Sequence, residues 1–168
     1  MSLGLYLHIP YCFSKCRYCD FYSAPGQRGV PRAYVDALLR ELSRFAPDAP
    51  LRPDTLYFGG GTPSLLDPAD AARLIAAAQP LPGAEITLEA NPETVTEDSL
   101  RAFREAGVNR ISFGVQSARD SQLKTLGRPH TAKQARAAFA AAQRAGFTNI
   151  SGDIMLALPH YTQAEFDE

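Results

Sequence analysis

Two hydrophobic periods alternate along the chain. Short apolar, β-prone runs are followed by stretches in which apolar residues return every three or four positions, the spacings of strand and helix respectively. Residues 3–9 read as a first strand. Residues 31–45 read as a helix, with Pro31 near its first turn and Tyr34, Val35, Leu38, Leu39, Leu42 and Phe45 on one face. Residues 55–58 make a second strand. Asp67 and Pro68 open a helix in which Ala71, Leu74, Ile75 and Ala78 keep helical spacing. Residues 85–88 are a third strand. Thr96 caps a third helix, with Glu97 and Asp98 in its first turn and Gly107 as its stop. A fourth strand at 110–113, a short helix at 119–126, a longer helix at 131–145 closed by Gly146, and a fifth strand at 149–156 follow. Another helix opens at Gln163.

A β-α unit recurring about five times argues for α/β architecture: one parallel sheet with right-handed crossovers, either doubly wound and open or barrel-like. The helical pattern at the end has no cap, so residues 1–168 are expected to be one domain at the N-terminus of a longer protein.

Composition narrows the class. The 168 residues are 45% apolar and 21% charged with a net charge of −1, a globular balance without the electrostatic footprint of a nucleic-acid or anionic-membrane partner. No run approaches the roughly 20 apolar residues of a membrane span, and the N-terminus lacks a signal-peptide pattern. A cytoplasmic location is expected. The three cysteines fall within eight residues. An odd, clustered set suits a metal in a reducing compartment better than a disulfide framework.

Cys12, Cys16 and Cys19 are spaced C-x3-C-x2-C directly after the first strand. Thiolates are the usual ligands of iron–sulfur clusters, and a cubane normally takes four. Three from one loop hold three corners and leave one iron open to an outside ligand. Lys15 and Arg17 are expected to favour thiolates and to offset the cluster's negative charge. Two other readings stand beside this one: a structural zinc site that adds His8, and a redox pair of Cys16 and Cys19.

Other positions carry chemistry only weakly when taken singly. Gly59-Gly60-Gly61 after the second strand lets backbone approach a ligand and offers N–H groups to an anion. Glu89 ends the third strand and Gln116 lies just past the fourth. Arg128 reads as a surface cation. Asp153 sits in an apolar strand, where a carboxylate is costly to bury without a partner. Jointly they fall at the C-terminal ends of successive strands, the edge at which parallel α/β folds place their sites.

The cysteine spacing together with Gly59-Gly60-Gly61-Thr62-Pro63 resembles the radical SAM superfamily over essentially the whole chain. The resemblance implies a partial (β/α)6 barrel truncated after about five units, with a [4Fe–4S] cluster on Cys12, Cys16 and Cys19. S-adenosylmethionine (SAM) binds the open iron in that family, and one-electron reduction splits it to methionine and a 5′-deoxyadenosyl radical. Tyr6, Tyr18, Gly60, Gly61, Thr62, Glu89, Gln116, Arg128 and Asp153 match positions that contact SAM or the cluster in relatives. Residues 6–12, 109–116 and 153–159 resemble the coproporphyrinogen-dehydrogenase group. The dehydrogenase has a fourth cysteine where this chain has Phe21, and tends to have Gln where it has His130. Both differences resemble the HemW-type heme-chaperone branch, which implies heme as cargo, an acceptor protein, an electron donor for the cluster and a further C-terminal domain. The heme motif of that branch falls beyond residue 168; His160 and Tyr161 form a loop pair with no specific signal.

Overall fold

The computed structural model describes residues 2–45, 49–156, 158 and 162; the helix opening expected at Gln163, and His160 and Tyr161, lie outside them. Five strands, β1 (Gly4–Ile9), β2 (Thr55–Gly60), β3 (Glu85–Ala90), β4 (Arg110–Gln116) and β5 (Asn149–Ile154), form one parallel sheet in the order β1-β2-β3-β4-β5. Five helices connect or follow them: α1 (Arg32–Phe45), α2 (Pro68–Ala78), α3 (Glu97–Glu105), α4 (Asp120–Leu126) and α5 (Ala132–Arg144). A doubly wound sheet reverses strand order at a switch point. Sequential order with one hand of crossover puts every helix on the same side, so the sheet curls as part of a barrel.

Local chemistry sets the helix ends where the sequence places them. Asp67 Oδ1 accepts from Ala69 N at 2.8 Å, with Pro68 in the first helical position. Thr96 and Thr131 each close a capping box, with Ser99 and Gln134 as the reciprocal partners. Phe45 is the exception: expected on the buried face of α1, it is the helix's last residue and 77% exposed.

Three strands run further than their β-branched cores suggest. β2 reaches Gly60, β3 Ala90 and β4 Gln116, because ladder pairing such as Ile9 with Gly60, Ala90 with Phe113 and Gly114 with Asp153 overrides weak strand propensity. β5 stops at Ile154, two residues early. Alternation gives the sheet two faces. Leu7, Ile9, Leu56, Phe58, Ile86, Leu88, Ile111 and Phe113 point outward into one apolar core with Val35, Leu42, Ala71, Leu74, Leu100 and Phe103 of the helices. Tyr6, His8, Tyr57, Thr87, Glu89, Arg110, Ser112, Ser151 and Asp153 share the inner face.

Candidate functional site

Past β1 the chain makes a loop without regular elements, anchored on both sides. Tyr11 and Ala24 form a parallel bridge, Cys12 N donates to Ala24 O at 3.0 Å, and Gln27 N donates to Cys12 O at 3.0 Å. Across the site, Arg17 N donates to Leu126 O of α4 at 3.0 Å. All three cysteines are free; Cys12 is buried, Cys16 and Cys19 partly so. Among the described residues no three His, Cys, Asp or Glu side chains converge on a point that could hold a single metal ion. The ring nitrogens of His8 are engaged by Tyr22 O at 3.0 Å and Tyr6 OH at 3.3 Å, which disfavours the zinc reading that enlists it.

Eleven of the twelve candidate residues line one cavity of about 280 Å³ at the C-terminal rim of the sheet, close to the lower bound for small-molecule sites. Tyr6 stands outside it, with its ring against Gly59. Asn91, Ser112 and Phe21, none of them on that candidate list, line it as well.

Arg128 departs furthest from its sequence reading. It is a buried residue, not a surface cation: Nη2 donates to Asn91 Oδ1 at 2.8 Å and to Gly114 O at 2.7 Å, and Nη1 donates to Cys16 Sγ at 3.3 Å. Among the described residues its Nε is a buried side-chain atom without a hydrogen-bond partner. The expected thiolate cations do less. Lys15 Nζ is spent on Phe21 O and Ser23 Oγ, and Arg17 Nη1 reaches only Thr125 O at 3.5 Å. A loop lysine or arginine finds nearby backbone acceptors first, whereas Arg128 arrives from α4's far end onto the sulfur.

The glycine loop also differs from expectation. Its N–H groups are not offered to an anion: Gly60 N donates to Glu89 Oε2 at 3.1 Å, Gly61 N to Ile9 O at 2.8 Å and Thr62 N to Tyr11 O at 2.8 Å. Gly60 has φ +118°, and a Cβ there would lie 2.7 Å from the His8 ring, behind the loop and not in the cavity. A Cβ on Gly61 would lie 2.9 Å from Cys12 Sγ and 2.7 Å from Tyr11 O. The glycines thus let the second loop close onto the first.

Glu89 is half-buried, one residue before the end of β3, and takes a hydrogen bond from Tyr57 OH at 2.8 Å besides that from Gly60 N. Burial holds its carboxyl above the usual range despite those two donors. Burial likewise pushes the Tyr18 phenol up to about 12, against the pull of the Arg128 charge. Gln116 is the last residue of β4, not past it, and has φ +68° beside the β-bulge at Gly114 and Gln116. Asp153 is exposed, because the inner face of edge strand β5 is open; the burial cost expected of it does not arise. The sequence reading missed Tyr57, which alternates with Leu56 and Phe58 in β2, and Asn91, which directly follows β3.

Three free thiols around one cavity, one of them in contact with an enclosed guanidinium, and glycines that a Cβ would force apart, make a donor set that fits a thiolate-held cluster whose irons sit at separate corners. No helix among the described residues is long and apolar enough to cross a membrane.

Comparison with known proteins agrees with this geometry. A family model described as the radical SAM superfamily matches residues 6–168. The chain is 44% identical over 169 residues to the heme chaperone HemW of Escherichia coli, covering 97% of this chain and 45% of that protein. It is 41% identical over 166 residues to the mitochondrial radical S-adenosyl methionine domain-containing protein 1 of Bos taurus, covering 93% and 36%. The chain therefore spans less than half the length of these relatives. Among solved structures, coproporphyrinogen III oxidase (HemN) of Escherichia coli, described as a radical SAM enzyme, superposes with a TM-score of 0.87 at 31% identity, covering 99% of this chain and 40% of that one. The fold, the cysteine loop and the match along residues 6–168 place this chain in the radical SAM superfamily.

Proposed function

We propose that this chain is the cluster- and SAM-binding part of a heme chaperone, a protein that binds heme and passes it to acceptor proteins. The observation that carries the cofactor reading is the convergence of Cys12, Cys16 and Cys19 with Gly60, Gly61, Thr62, Glu89, Gln116, Arg128 and Asp153 on one cavity. The heme reading is supported by relatives named heme chaperones at 37–44% identity. It is supported too by Phe21, which lines the rim where the resembled dehydrogenase has a cysteine.

In this reading the three cysteines hold three irons of a [4Fe–4S] cluster. A cluster held there would supply the electron that cleaves SAM. The chain's residues do the rest. Arg128 holds a positive charge against Cys16. Glu89, Gln116 and Asp153 offer polar groups to SAM along the cavity wall, and Tyr18 lines the cavity beside the cysteines. Phe21 can neither ligate a metal nor carry a proton, so the rim lacks the group that the dehydrogenase places there. An electron donor for the cluster and a heme acceptor are the expected partners. The cytoplasm, where free thiols persist, is the expected compartment.

The test is anaerobic reconstitution of the full-length protein, iron and sulfide analysis, and paramagnetic resonance of the reduced cluster with and without SAM. Hemin titration and a coproporphyrinogen III turnover assay follow. The expected result is close to four irons, a spectrum that SAM alters, heme binding and no decarboxylation. An unchanged spectrum with SAM counts against the open iron. Robust turnover of coproporphyrinogen III, or no heme binding, overturns the chaperone reading in favour of the dehydrogenase or of neither.

A further inference from the structure

His130 lies in the loop between α4 and α5, and its side chain is 0% exposed. Nδ1 lies 3.0 Å from Glu93 Oε2 and Nε2 lies 3.1 Å from Val115 O. The ring thus bridges a carbonyl oxygen and a carboxyl oxygen that belong to different elements. Glu93 Oε2 also lies 4.0 Å from Arg128 Nη2, and an enclosed guanidinium is tolerated only beside a counter-charge.

The arrangement is a line of polar contacts: His130, Glu93, Arg128 and Cys16. The His130, Glu93 and Arg128 side chains are 0%, 15% and 4% exposed. The three parts come from separate elements: the loop after α4, the short 3₁₀ turn Pro92–Thr94 and the cysteine loop. His130 bridges Val115 O and Glu93 and so holds Glu93 in place, and Glu93 faces the guanidinium. Asn91 Oδ1 and Gly114 O occupy Nη2, which leaves Nη1 for the sulfur.

We propose that His130 and Glu93 are positioning residues for Arg128, keeping its guanidinium on the Cys16 sulfur and so setting the reduction potential of the cluster. The inference rests on the reading of Cys16 as a cluster ligand. Hydrogen bonds and positive charge at a ligating sulfur make a cluster easier to reduce. His130→Gln breaks the bridge between Val115 O and Glu93 and frees Glu93 to draw Arg128 away, which lowers the potential.

The experiment is a redox titration of the reconstituted, SAM-free protein, followed by paramagnetic resonance, on wild type, His130→Gln, Arg128→Lys and the double variant. His130→Gln is expected to shift the midpoint to a more negative potential at unchanged iron content. Most of that shift should vanish in the Arg128→Lys background, since coupled residues are not additive. A full shift in that background means that His130 does not act through Arg128, and overturns the proposal. Wild type without iron overturns the cluster reading and this inference with it. Wild type with iron, and a potential that His130→Gln leaves unmoved, overturns this inference alone. Should the His130→Gln chain fail to take up iron, nitrogen-15 spectra of the iron-free chains decide. Arg128 is expected to show resolved, slowly rotating Nη signals in wild type and collapsed ones in the variant; a guanidinium still fixed in the variant sinks the idea.

Discussion

The two faces of the sheet are built from the same five strands and have opposite chemistry. Outward-pointing residues from Leu7 to Phe113 close under the helices as one apolar core, with Leu56, Phe58, Leu88, Ile111 and Phe113 wholly buried. Inward-pointing residues are tyrosines, threonine, serines, glutamate and arginine, linked across strands: Arg110 to Thr87 and Ser151, Ser151 to Ser112, Tyr57 to Glu89. The difference teaches that stability and chemistry are separated here by one residue of register. The outer face supplies most of the free energy, and the inner face and its rim carry the polar groups.

Substitutions put that division to the test. Phe58→Ala empties a wholly buried outer site and should cost about 3–5 kcal/mol in urea unfolding, whereas Ser112→Ala on the inner face should cost about 1 kcal/mol. Equal losses would dissolve the distinction. Arg128→Leu is the expected exception on the polar side. It strands Asn91 Oδ1 and Gly114 O and takes the guanidinium away from Glu93, and should cost roughly 3 kcal/mol, as removal of one partner of a buried ionic group does. A loss below about 1 kcal/mol would mean that the rim holds no core-like group. Gly60→Val should cost roughly 1–3 kcal/mol through its backbone angle and the His8 ring. The loss should show in the melting temperature of iron-free protein, before any ligand is added.

The smallest effect has the opposite sign. The Glu89 pKa is raised on folding, so its contribution to stability is present below the unfolded value of 4.5 and declines as pH rises through the folded value. At pH 7 the buried charge is a burden. Glu89→Gln should therefore melt slightly above wild type at pH 7 and level with it near pH 4, while SAM binding weakens. A lower melting temperature at pH 7 would make Glu89 a structural residue.

Sequence pattern locates the five strands and five helices of the described residues, because their signals are local: two-fold and 3.6-fold periods, with Asp67 and Thr96 at helix starts. It named eleven residues that share a cavity, mainly through family resemblance. What it missed depends on contacts distant in sequence. Arg128 is a surface cation by composition and buried only because Asn91, Gly114 and Cys16 surround it. His130 was noted as a difference between branches, with no sign that Glu93, 37 residues away, faces it. The glycine N–H groups looked free because their acceptors belong to other strands.

The anchor of the cysteine loop on α4 has a kinetic consequence. Cys16 is 112 residues from Arg128, and Arg17 donates its amide to Leu126. The three cysteines are among the first residues of the chain, yet the wall that completes their surroundings comes from its last third. Closing so large a loop is entropically slow and follows local structure. The cysteine loop is therefore expected to be enclosed late in folding, after the strands that flank it have paired. Pulsed hydrogen exchange during refolding reads this order directly: the Arg17 amide should gain protection no sooner than the amide of Ser112 in β4.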